Sequence, residues 1–231
     1  MNSKIRLPLL LGISVFVVAA SAADKQLVVH MHEHYGLVTA IQKAVIAGNL
    51  EATKAPARQL VERPAPPGLE GNWQPFDDAM RAAAQKALDA TSLEKAAEAT
   101  AELGNSCANC HVEYGVEDQF EKQAKPSFDD GAAAHMQRHM WAADRMWEGL
   151  IAPSRKIWKK GANQLVETAL KPHEIHPNAN RNVARMERLV HGIAASATRK
   201  KDGEGRVYSY GQLLATCAAC HQELGMSPST D

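Results

Sequence analysis

The five residues Cys107-Ala108-Asn109-Cys110-His111 occur a second time as Cys217-Ala218-Ala219-Cys220-His221. These two motifs use all four cysteines of the 231-residue chain. On a helix, positions i, i+3 and i+4 share one face, so each motif sets two thiols and an imidazole side by side. That is the spacing of c-type haem attachment. Both thiols can form thioethers to the vinyl groups of one haem, and the imidazole then reaches the iron as proximal ligand. Competing uses fit less well. Disulfides would suit an oxidising compartment. A thioredoxin-like Cys-x-x-Cys needs a β-α-β context, which is not apparent here. Zinc would need further ligands at matching spacing. The sequence therefore predicts two covalently bound haem c groups, attached through Cys107, Cys110, Cys217 and Cys220, with His111 and His221 on the irons.

The motifs close two halves of an internal repeat. His30-Met31-His32-Glu33-His34 returns as His135-Met136-Gln137-Arg138-His139, and Met80-Arg81 has a counterpart near Met186. The histidine segments are offset by 105 positions and the motifs by 110, so the second half carries small insertions. One supersecondary plan is used twice. Alanine is abundant, aromatics are 5% of residues and β-branched runs are short, a composition that favours helix over sheet.

The first half reads as four helices. Leu27, Met31, His34, Val38, Ile41 and Val45 form one stripe with three-four spacing over about 24–48, and Gly48-Asn49 ends that helix. A second helix spans about 50–63, with Pro56 kinking it or marking its effective start. Pro64 to Gly68 breaks the chain, and a third helix covers about 75–90. Thr91 and Glu94 read as a capping box opening the fourth, which carries Cys107, Cys110 and His111. A linker is expected from Lys122 to Asp130. The second half repeats the plan, with Ala132, Met136, His139, Ala143, Met146 and Leu150 on its first stripe. Pro153 suits the first turn of its second helix. Asn178 or Asn180 caps its third helix, and the last runs from about Tyr208 to Met226. The expectation is an all-α chain of two tandem four-helix bundles, over 23–125 and 126–231, each with its own core and a haem on its last helix.

Residues 1–22 read as a cleaved export signal. Lys4 and Arg6 are the basic region, Leu7 to Ala20 the apolar core, and Ala20-Ser21-Ala22 the small residues at the cleavage site. Export implies a periplasmic location, with no stable membrane span after cleavage. Lys plus Arg and Asp plus Glu are 26 each, so no net field draws nucleic acid or a membrane surface. Partners are expected to be redox proteins, and a homodimer stays open.

Both halves resemble the cytochrome c-prime family, the class II cytochromes c, once per half over nearly all of the mature chain. The resemblance rests on the helix plan and the Cys-x-x-Cys-His near each C-terminal end. In that family the group opposite the proximal histidine comes from the first helix, usually as an apolar side chain and in some relatives as methionine. This sequence departs from the pattern by placing His34 and His139 there. They are the expected distal ligands, with Met31 and Met136 one turn away as alternatives, since thioether also binds haem iron. Other histidines, His32, His173, His176 and His191, have no matching histidine at the repeat position of the opposite half. His30 and His135 lie off the centre of the stripe. Two axial side chains per iron favour an electron carrier over an enzyme. The alternative is a gas-binding protein for nitric oxide or carbon monoxide with an open distal position. A peroxidase would need an open iron and a distal acid-base group.

Overall fold

The computed structural model describes residues 22–65, 72–116, 120, 124, 131–166 and 170–226. Every regular element among them is helical: α1 (Ala22–Ile46), a 3-10 turn (Glu51–Thr53), α2 (Lys54–Glu62), α3 (Gln74–Asp89), α4 (Leu93–Glu113), α5 (Ala132–Ile151), α6 (Arg155–Leu165), α7 (Pro172–Ile175), α8 (Arg181–Ala197) and α9 (Gly203–Glu223). The expected linker and export segment lie outside the described residues, apart from Ala124 and Ala22.

Local chemistry accounts for the boundaries. Gly48 sits at φ 71°, the left-handed conformation that ends α1 and that a side chain would resist. Pro56 falls in the first turn of α2, where its missing N–H costs nothing, so it marks the start rather than a kink. Helix α4 opens one residue later than the sequence suggests. Ser92, not Thr91, is extended, and its hydroxyl accepts from Lys95 N–H. In the second half Ser154 caps α6, which leaves Pro153 just ahead of the helix instead of in its first turn. Asn180 caps α8 by accepting from the backbone of Asn182 and Val183. Asp202 caps α9 through Gly205 N–H, so this helix starts five residues before Tyr208.

Helices α1 to α4 pack in sequence around one ring, and α5, α6, α8 and α9 repeat it. The rings meet along α4 and α9, the two helices that carry the motifs, with α1 also against α9 and α5 also against α4. Buried side chains from both halves form one cluster, including Val38, Ile41, Leu60, Leu103, Trp147, Leu150, Trp158 and Leu213. The expectation of a separate core for each half is thus replaced by a core continuous across the repeat. Polar bonds cross the same seam. Gln42 Nε2 donates to Tyr210 Oη at 3.0 Å and Trp147 Nε1 to Thr39 Oγ1 at 3.2 Å, while within the second half Tyr210 Oη donates to the Ala143 carbonyl at 3.0 Å.

Close approach of α5 to α6 depends on glycine. A Cβ at Gly149 would lie 2.3 Å from Trp158 N and 2.6 Å from its Cα, and one at Gly161 2.5 Å from the Ala142 carbonyl oxygen. These are backbone atoms, which cannot rotate away. Gly149→Ala is expected to destabilise the chain by about 3 kcal/mol or more. Gly192→Ala, exposed on α8 with nothing within 4 Å of the new methyl, should instead be neutral or gain about 0.5–1 kcal/mol. Denaturant unfolding of the two variants beside the parent checks both.

Candidate functional site

Each Cys-x-x-Cys-His motif lies in the last turns of its helix, α4 or α9. None of the four cysteines is in a disulfide. Burial pushes the Cys217 thiol up to about 12 and Cys220 to about 11, and it raises Cys110 as well. A redox or nucleophilic cysteine needs the opposite shift, toward thiolate, so this environment does not favour thiol–disulfide chemistry.

Both motif histidines reach across to the other half. His111 Nδ1 lies 3.0 Å from the carbonyl oxygen of Ile151, the last residue of α5. His221 Nδ1 lies 2.6 Å from the carbonyl of Ile46, the last residue of α1. A helix leaves its final carbonyls without an intrahelical N–H, and these two imidazoles donate to them. An Nδ1–H donated to a carbonyl puts the lone pair on Nε2, the tautomer a metal requires. No sequence signal marks this pairing, because donor and acceptor are 40 and 175 residues apart.

In the second half a cleft brings the predicted residues together. Cys217, Cys220 and His221 line it with Met136, His139, Met140, Leu165, Glu187, Val190 and, from the first half, Ile46. The space between atoms is ≈ 580 Å³ when the open mouth is counted. His139 and Cys217 thus face one space from different helices. In the first half Trp73 stacks on Tyr114 beside the motif, with ring centroids 3.9 Å apart and planes 6° from parallel, and Phe76 meets the same ring edge-on.

The first-helix histidines are held in neutral form, His34 buried and His139 half-buried. Burial, with help from His30 and Arg63, lowers His34 to about 4, and its Nε2 is enclosed with no hydrogen-bond partner among the described residues. Burial, with help from His135, lowers His139 to about 3. Met31 and Met136 are half-buried one turn earlier. His30 and His135, expected off the stripe, are buried instead, and their rings sit 4.0 and 4.2 Å from those of His34 and His139.

The halves differ behind these rings. Glu187 on α8 is buried, with Oε1 2.6 Å from His135 Nε2 and 3.0 Å from His191 Nε2. Burial works against its charge, but hydrogen bonds from His135 and His191 hold the carboxyl well below the usual range. The ligand atoms of His135, His139, Glu187 and His191 all lie within 4.8 Å of one another. His191 had no repeat partner in the sequence, and Glu187 carried no signal beyond its place next to Met186. Arg81 pairs with Asp77 and donates to the carbonyls of Val61 and Arg63. His32 and His173 are exposed.

A scan of protein-family models, and searches of curated proteins and of solved structures, return no match to this chain.

The depressed imidazoles have a pH signature. The unfolded chain takes up protons near the ordinary value of 6.5, which folded His34 resists down to about 4. Its stabilising contribution is therefore full above pH 6.5 and is lost as pH falls toward 4. Between pH 7 and 5 the loss is about 2 kcal/mol from His34 in chain carrying no bound group. Urea unfolding at both pH values should show it, and His34→Phe should flatten the difference.

Proposed function

We propose that this chain is an exported dihaem c-type cytochrome that carries electrons between redox proteins. Cys107 and Cys110 hold one haem by thioethers, and Cys217 and Cys220 hold the other. His111 and His221 are the proximal ligands. His34 and His139 are the distal ligands. A haem bound in this way supplies an iron that exchanges one electron between ferrous and ferric states.

The observation that carries this reading is the second-half cleft, where the attachment cysteines, His221 and His139 line one space. Further support comes from the side chains themselves. Nδ1 of each motif histidine is taken by a carbonyl, which leaves Nε2 for the iron. His34 and His139 are neutral at physiological pH, so each offers a lone pair instead of a proton. A buried imidazole nitrogen without a partner costs about 1–3 kcal/mol, and coordination removes that cost for His34. Two protein ligands for each haem, His111 with His34 and His221 with His139, would shut out small ligands and limit rearrangement on electron transfer. That favours a carrier over a gas-binding protein.

The residues around each iron divide the work. Apolar groups, among them Leu213, Val190 and Ile46, line the second cleft and exclude water from the site. The Ile46 and Ile151 carbonyls draw on the Nδ1 protons and make each proximal imidazole a stronger electron donor, which lowers the potential. Partners are redox proteins rather than nucleic acid, given the balanced charge. Among the described residues no helix is long and apolar enough to cross a membrane. A periplasmic location rests on the reading of residues 1–22 as an export signal.

Intact mass of the exported protein should show two haem additions that survive acid-acetone extraction. The ferric spectrum should be low-spin without the far-red band of methionine ligation. His34→Ala should admit carbon monoxide to one ferrous iron per chain and His139→Ala to the other. A methionine band abolished by Met31→Ala or Met136→Ala would shift the distal ligand one turn along the same helix. High-spin ferric iron in the unmodified protein would overturn the carrier reading in favour of gas binding.

A further inference from the structure

We infer that the second half holds a divalent transition-metal ion of its own, bound by His135, Glu187 and His191 beside the ring of His139. The inference goes beyond the haem reading and rests on it in one respect, that His139 is left to the iron.

The placement comes from two helices. His135 stands in the first turn of α5, and Glu187 and His191 stand one turn apart on the same face of α8. The carboxylate oxygen Glu187 Oε1 is 2.6 Å from His135 Nε2 and 3.0 Å from His191 Nε2. First-row divalent ions hold such ligands at about 2.0–2.2 Å, so neighbouring donors about 90° apart lie about 3 Å from each other. Both imidazole nitrogens stand at nearly that spacing from the carboxylate oxygen, and all the ligand atoms lie within 4.8 Å of one another. Two imidazoles and one carboxylate on one side of a point are the donor set of mononuclear iron(II) sites with open positions, and zinc accepts the same set.

Outer contacts support the same orientation. His191 Nδ1 is 2.5 Å from the Leu165 carbonyl, which takes that ring nitrogen and leaves Nε2 as the one that faces Glu187. Leu170 N–H donates to Glu187 Oε1 at 3.3 Å. Glu187 and His135 are both almost fully buried, at 3% and 1% exposed, so this is not a solvated surface cluster. Without an ion the same contacts require a proton on an imidazole nitrogen facing the carboxylate.

The repeat argues that the cluster is not part of haem binding as such. The first half keeps His30 and His34, but Arg81 and Gln85 occupy the positions matching Glu187 and His191. Arg81 is committed to Asp77 and two backbone carbonyls. One half of a duplicated plan has the metal donors and the other has none of the added ones.

Zinc is the probe, because it has no redox chemistry to confuse with haem. The full haem-loaded chain is stripped with a chelator, equilibrated with zinc sulfate and desalted. Zinc is then counted by elemental mass spectrometry and haem by absorbance on the same sample. The expected result is one zinc per chain beyond the haem irons. Glu187→Gln should weaken zinc binding at least about a hundredfold, since even loss of an outer-shell partner costs 10–100-fold. His135→Ala, on the other helix, gives the same result if the first variant folds poorly, while His32→Ala on the surface of α1 leaves binding intact. Zinc absent from the loaded chain, zinc retained equally by Glu187→Gln, or zinc bound only when haem is missing and His139 is released would each overturn the inference. Haem missing while Glu187-dependent zinc persists would sink the haem reading and leave this site standing.

Discussion

Helices α4 and α9 lie against each other closely enough that the backbones nearly touch, and the placement of both motifs depends on that contact. Small residues make it possible. A Cβ at Gly211 would be 3.6 Å from Glu98 Cα and 3.7 Å from Ala101 Cβ, and α4 presents buried Ala97 and Ala101 on the same side. Gly104 makes room on α4 for Trp147 and Leu150 of α5, whose side chains a methyl there would meet at 2.7 and 2.8 Å. Side chains of ordinary size would separate the helices. The C-terminal turn of each motif helix would then fall short of the opposite first helix.

With the contact in place, the halves complete each other. His111 depends on the end of α5 for its Nδ1 acceptor, and His221 on the end of α1. The distal candidates sit on those same two helices. A group bound between His221 and His139 therefore bears on α5, and α5 carries the carbonyl that holds His111. The polar seam of Gln42, Tyr210, Thr39 and Trp147 fixes the register of this arrangement, because each buried donor there would be costly to leave unmatched. Displacement of either motif helix should accordingly be felt in the other half.

Duplication also exposes where the two halves have parted. His30 and His34 feel the charges of Arg63, Asp77 and Arg81, of which Arg63 pairs with Glu33 and Arg81 with Asp77. His135 and His139 instead back onto a buried carboxylate and a third imidazole. The α5–α6 contact through Gly149 has no equivalent either, since Ala44 stands at the matching point of α1. The same plan thus leaves a pair of imidazoles in one half and adds a buried carboxylate and a third imidazole to that pair in the other.

Much of this was legible in the chain. Three-four periodicity located α1 and α5, the prolines and Gly48 punctuated the helices, and the paired Cys-x-x-Cys-His motifs with His34 and His139 nominated the sites. Those signals are local, because helix periodicity, capping and motif spacing act within a few residues. Caps at Ser92 and Asp202 were missed because several neighbouring side chains could serve, and only the backbone conformation selects one. The carbonyls of Ile46 and Ile151, the shared core and the Glu187–His191 cluster belonged to tertiary structure alone. Each joins groups tens to hundreds of residues apart, and what unites them is the depth to which glycine and alanine let α4, α9, α5 and α6 approach. A backbone carbonyl carries no residue identity, so no reading of side-chain letters could have assigned it to a histidine in the other half.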